Sequence, residues 1–183
     1  MPVQPLERIR SISSVARYVI VAIGLGIVAL AASLLWMAVF APARFDEFAA
    51  HSLASVDTYA VTAPVRFMLI LALGVGFALL GWLLVALARA FARFRAGEVF
   101  TPQTCRLVRN AGIAGLFNAL YLLVMPTVTV LLLTMNNPPG QRMLAVGLSS
   151  HQLFSLMMAI FLLVVGHVLA LGTALDEDNR SIV

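Results

Sequence analysis

Four nearly unbroken apolar runs set the pattern of the chain: Tyr18–Phe40, Phe67–Leu87, Ala111–Met135 and Leu153–Leu175. Each matches or exceeds the roughly 20 residues with which an α-helix crosses a bilayer. Helices of a soluble core would carry a polar face at helical spacing, and these runs carry almost none. The pattern predicts an all-α fold, an integral membrane four-helix bundle that occupies residues 1–183 as a single transmembrane domain.

The segments between the runs predict smaller elements. In the first connection, Ala41–Val65, residues Phe45, Phe48, Ala49, Leu53 and Val56 recur at helical spacing, with Asp46, Glu47 and His51 elsewhere around the same helix. A short amphipathic helix on the outer membrane surface fits that stripe. Tyr59 and Pro64 mark the return to the second span. In the second connection, Ala88–Asn110, Phe91 and Phe94 continue the apolar stripe while Arg89 and Arg93 share another face. Gly97 is placed to end that helix in the left-handed conformation. Thr101 and Pro102 then read as the N-cap and first position of the next helix. A helix–elbow–helix should therefore lead directly into the third span. Pro126 lacks a backbone donor and predicts a kink there. The run Asn136-Asn137-Pro138-Pro139-Gly140 reads as a plain turn.

Charge then supplies an orientation. The net charge of +4 rests on arginine alone, since the chain has no lysine. Arg8, Arg10 and Arg17 precede the first run. Arg89, Arg93, Arg95, Arg106 and Arg109 lie between the second and third, and Arg180 follows the fourth. Only Arg44, Arg66 and Arg142 fall on the other side. Positive flanks stay cytoplasmic, so both termini and the elbow are expected inside. These arginines point to anionic membrane lipid as a partner. They lack the aromatic interleaving that direct nucleic-acid binding needs. Composition agrees with the membrane reading: 62% of residues are hydrophobic and 11% charged, against about half and a quarter in soluble domains. A single cysteine, Cys105, excludes an intrachain disulfide and reads as a small buried side chain. Ala41-Pro42-Ala43 has the form of a signal cleavage site. The run before it is far longer than the roughly 7–15 residues of a signal core, so the first span is expected to be retained.

Candidate chemistry is sparse. Lipid tails are as apolar as leucine, so small residues must let the helices approach. Ala22 with Gly26, Ala72 with Gly76, and Ala111 with Gly115 and Ala119 are spaced to do so. Counting about 1.5 Å per residue inward from Arg109 and from Asp176 sets Asn118 and His167 at one depth. Tyr121 shares the face of Asn118. Such a group forms a ligand-binding or proton-linked site, or else an interhelical hydrogen bond that fixes packing. Glu47 and His51 are four apart, but a zinc site wants three or four ligands. No metal or cofactor is expected. No hydrolase triad, phosphate loop or nucleotide fingerprint occurs, so no enzyme is expected either. The acidic Asp176-Glu177-Asp178 opposes the helix macrodipole. It is expected either to fold against Arg95, Arg106 and Arg109 or to be solvated.

The elbow Phe94-Arg95-Ala96-Gly97-Glu98-Val99-Phe100-Thr101-Pro102 and the terminus Leu175-Asp176-Glu177-Asp178-Asn179-Arg180-Ser181-Ile182-Val183 carry a resemblance. They resemble the Gly-Glu-x-Phe-Thr segment and acidic terminus of a bacterial membrane family called Domain of Unknown Function 2975. Cys105 and His167 depart from the residues usual there. The resemblance implies a multi-pass protein of the bacterial cytoplasmic membrane with no established activity. Some members are encoded beside small helix-turn-helix regulators, which implies a cytoplasmic regulatory partner. The expected docking surface is Arg89, Arg93, Arg95, Glu98, Arg106 and Arg109 with Asp176, Glu177 and Asp178. The expected function is non-enzymatic and regulatory or sensory. The alternative is a small, oligomeric transporter or channel component using Asn118, Tyr121 and His167, although so few polar groups argue against a wide pore.

Overall fold

The computed structural model describes the backbone of residues 4–57, 59–98 and 101–181, and the side chains of 16, 18–57, 59–98 and 101–172. Among the described residues the chain is helical, with no strand. The elements are α1 (Gln4–Phe40), α2 (Pro42–Phe48) continued by a π-helical stretch (Ala49–Ala54), α3 (Ala63–Arg95), α4 (Pro102–Thr134) and α5 (Ser150–Ser181). Four stretches are long and apolar enough to cross a membrane: Tyr18–Phe40, Ala63–Arg95, Pro102–Thr134 and Ser150–Gly172. Their outward faces remain apolar, with Leu25, Trp36, Phe67, Leu71, Phe154 and Phe161 all exposed. Faces of this kind suit a lipid surrounding. The helices overrun the apolar runs at the elbow, because nothing between Leu87 and Gly97 breaks a helix and Thr101-Pro102 starts the next one early.

The long helices pair in chain order: α1 on α3, α3 on α4, α4 on α5. Among the described residues no extensive packing joins α5 to α1 or α3, or α1 to α4. Among the described residues the four long helices thus stand as an open row, and no extensive contact closes them into the expected bundle. Small residues set the closest approaches. A Cβ added to Gly112 would lie 2.8 Å from the Leu163 backbone nitrogen, and one on Gly166 2.9 Å from that of Arg109. At Gly115 the added atom would meet the Ala159 Cβ at 3.4 Å. The Ala111, Gly115 and Ala119 stripe is buried as expected. Ala72 and Gly76 also form a contact, since the Tyr121 ring lies 2.6 Å from a Cβ built on Gly76 and its hydroxyl donates to the Ala72 carbonyl at 2.9 Å. Ala22 and Gly26 do not: both are exposed and nothing lies within 4 Å of Gly26. The contact of α1 sits nearer its other end, where Ala38 joins a core of Phe45, Ala49, Val65, Leu69 and Leu133.

That core corrects the reading of the first connection. The helix forms, but its apolar stripe packs into the protein, with Phe45 at 1% and Ala49 at 0% exposure. Asp46, assigned to a polar face, is buried as well. It accepts two hydrogen bonds from Arg66, Nε to Oδ1 at 2.9 Å and Nη2 to Oδ2 at 2.6 Å. This forked pair fastens α2 to the start of α3. Ser55 ends the π-helical stretch at φ +51°. Ala60 N–H then donates to the Leu133 carbonyl at 3.2 Å, closing the connection over the end of α4.

Pro126 interrupts the hydrogen-bond ladder of α4 without ending the helix. Its missing N–H deprives the Leu122 carbonyl of its helical donor. The buried Gln152 of α5 replaces it, Nε2 donating at 2.9 Å. The same side chain accepts from Ser149 N–H at 2.7 Å, while Gln152 N–H donates to Ser149 Oγ at 3.3 Å. This reciprocal pair is a capping box at the start of α5.

Candidate functional site

Two places gather the polar side chains, and the first is the elbow. Its backbone follows from Gly97 at φ +83°, which allows a Schellman closure. Gly97 N–H donates to Phe94 O and Glu98 N–H to Arg93 O, each at 3.1 Å. Thr101 caps α4, accepting from Thr104 N–H at 3.3 Å, and the buried Thr104 hydroxyl donates to Glu98 O at 2.7 Å. Arg93 Nη1 closes the turn on Glu98 Oε2 at 2.7 Å. The elbow is therefore a built turn, as its sequence suggested.

Two adjoining clefts open there between α3 and α4. One, of about 560 Å³, is lined by Arg89, Ala92, Arg93, Ala96, Glu98 and Leu107. The other, of about 270 Å³, is lined by Arg93, Gln103, Arg106, Leu107 and Asn110. Arg93 and Leu107 belong to both. Among the described residues Arg93 alone of these arginines is in an ion pair, and Arg89 and Arg106 meet no described carboxylate. Arg95 and Arg109 are exposed and line neither cleft. The side chains of Asp176, Glu177 and Asp178 lie outside the described residues, and with them the expected contact between tail and elbow.

The second place is a groove of about 500 Å³ over α4, walled by α3 and α5. Leu73, Gly76, Phe77, Leu80 and Leu83 of α3 form an apolar wall. Asn118, Tyr121 and Leu122 of α4 and His151 and Ser155 of α5 form the other side. The Tyr121 hydroxyl is engaged by Ala72. The structure thus unites Asn118 with Tyr121 but not with His167. Gly166 rests on Arg109, which precedes Asn118 by nine residues, so His167 stands roughly 14 Å away along the helix axis. The shared depth fails because Arg109 and Asp176 are not level markers; the register is set by Gly112, Gly115 and Gly166. His151 and Ser155 take the place given to His167; the sequence marked His151 only as an interfacial residue at the start of the fourth span and did not single out Ser155. The legible signal was Ser149-x-x-Gln152, which fixes where α5 starts and hence which of its residues face the groove.

Elsewhere, Glu47 and His51 are exposed, and His51 meets Tyr59 edge-on at 6.4 Å between ring centroids. Among the described residues no three His, Cys, Asp or Glu side chains gather as metal ligands. Cys105 is buried, as a small apolar side chain would be.

Residues 17–183 match the model of a family described as a protein of unknown function, DUF2975. Neither a curated protein nor a solved structure matches the chain.

Proposed function

The chain belongs to the DUF2975 family, and from its geometry we propose that it is a non-enzymatic, multi-pass protein of the bacterial cytoplasmic membrane whose elbow docks an acidic segment of a regulatory partner. The carrying observation is the pair of adjoining clefts around Arg89, Arg93 and Arg106 on a turn held by its own caps. A fixed turn presents its charges without a further ordering cost, so complementary charge is recognised more tightly. Orientation follows from arginine: nine residues on the elbow side against three on the other support a cytoplasmic elbow and cytoplasmic termini. Asp176, Glu177 and Asp178 of the tail are proposed as a second element of the docking surface. A helix-turn-helix protein is the partner that the family resemblance suggests.

The test is site-specific photocrosslinking in cells from position 103, which lines the second cleft. One partner should be captured by the native chain and lost in R89A/R106A, while R44A/R142A, altered on the opposite side, retains it. Capture that ignores R89A/R106A would remove the proposal.

A further inference from the structure

Asn118, Ser155 and His151 line the groove, and none of the three makes a hydrogen bond to a described residue. Asn118 and Ser155 are half-buried among apolar side chains, where an unsatisfied amide or hydroxyl is costly, and His151 is exposed at the end of the groove. The groove's other polar atoms are already used: Tyr121 on Ala72, and the Leu122 carbonyl on Gln152. Those two bonds hold α3 and α5 to either side of α4 and leave the space between them open. The arrangement is a preformed apolar slot with three spare hydrogen-bonding groups along one wall, in the size range of ligand sites.

We propose that this groove binds a quinone-class ligand, a flat ring with carbonyls on opposite edges and an apolar tail. Three observations select that chemistry. No guanidinium or carboxylate lines the groove, so a charged headgroup has no counter-charge there; the arginines lie at the elbow. A bare acyl chain would leave Asn118, Ser155 and His151 unsatisfied, whereas carbonyl oxygens accept from all three. The spacing also fits. With Gly115 against Ala159 in antiparallel helices, Ser155 stands level with residue 119 and His151 with residue 123. The donors are thus spread over roughly 7–8 Å along the axis, a span that a ring with two opposed carbonyls bridges. Phe77 on the facing wall offers a surface for the ring to stack on. This site is separate from the elbow and does not depend on the partner proposed there.

The experiment uses the full chain in phosphatidylcholine nanodiscs with decyl-benzoquinone as the probe. The chain has two tryptophans. Trp82 stacks on Phe117, the neighbour of Asn118, so quenching in a W36F background reads the groove. Saturable quenching is expected. N118L should weaken it about tenfold, the size of one hydrogen bond in an apolar site, and H151L by a smaller factor because His151 is exposed. H151Q should largely restore binding, and R89A/R106A should leave it unchanged. An azido derivative of the quinone should label the segment containing His151 and Ser155 in the native chain, which keeps the idea testable if a variant fails to fold. Linear, unsaturable quenching, equal competition by decylbenzene, or labelling elsewhere would overturn the proposal in favour of lipid tails as the only occupant.

Discussion

Replacing Gln152 by leucine removes two things that a double-mutant cycle can separate. One is the side-chain half of the capping box, the acceptor for Ser149 N–H, worth about 1 kcal/mol, while Ser149 Oγ keeps its bond from the residue-152 backbone. The other is the donor to Leu122, whose carbonyl has no helical partner because position 126 is proline. A buried carbonyl left bare costs about 1–3 kcal/mol. Measured couplings between polar groups in membrane helices average about 0.6 and reach about 1.7 kcal/mol. Q152L should therefore destabilise the native chain by about 2 kcal/mol. In a P126A background residue 126 regains its N–H, the Leu122 carbonyl regains a donor, and Q152L should cost only about 1 kcal/mol. The difference of about 1 kcal/mol is the energy of the interhelical bond, free of the capping bond, which is lost in both backgrounds. Reversible unfolding in mixed micelles, followed by tryptophan fluorescence, measures all four variants. Equal costs of Q152L in both backgrounds would refute the account of Gln152 as a substitute donor.

Four further outcomes follow from the same geometry. D46A strands Arg66 in a partly buried site and should cost about 3 kcal/mol by the same unfolding assay, whereas the apolar pair D46L/R66M should recover most of it. G166L must push α5 off the Arg109 backbone, so a disulfide engineered between α4 and α5 should form more slowly. G24A and G26A, which meet nothing within 4 Å, should leave stability unchanged or raise it by up to about 1 kcal/mol. G97A forces a Cβ into the left-handed region at the elbow, costing about 1 kcal/mol and raising protease cleavage between α3 and α4.

The spans and the elbow were legible because their signals are local. A run of twenty apolar residues, a glycine after an arginine-rich turn and a Thr-Pro pair each act within a few positions of themselves. The Asp46–Arg66 pair was not legible, since 20 residues separate the partners and no periodicity links them. Small residues announced contacts without saying whose. Ala72 and Gly76 met a tyrosine, whereas Ala22 and Gly26 met nothing, because a neighbour's face decides and one sequence does not display it. Gln152 shows the intermediate case. The proline that creates the need and the serine that positions the supplier were both visible, but joining them required the register of α4 against α5. The same missing register moved His167 out of the groove and His151 into it.

The open row has a consequence for biogenesis. Each long helix leans on the one synthesised just before it, and α2 fills the gap between the first two. A newly inserted long helix thus finds its neighbour already waiting in the bilayer; only smaller contacts wait, the first connection for Leu133 and the Leu122 carbonyl for Gln152. Assembly can keep pace with synthesis, and a chain stalled after α4 should already hold three of its four long helices in their final places.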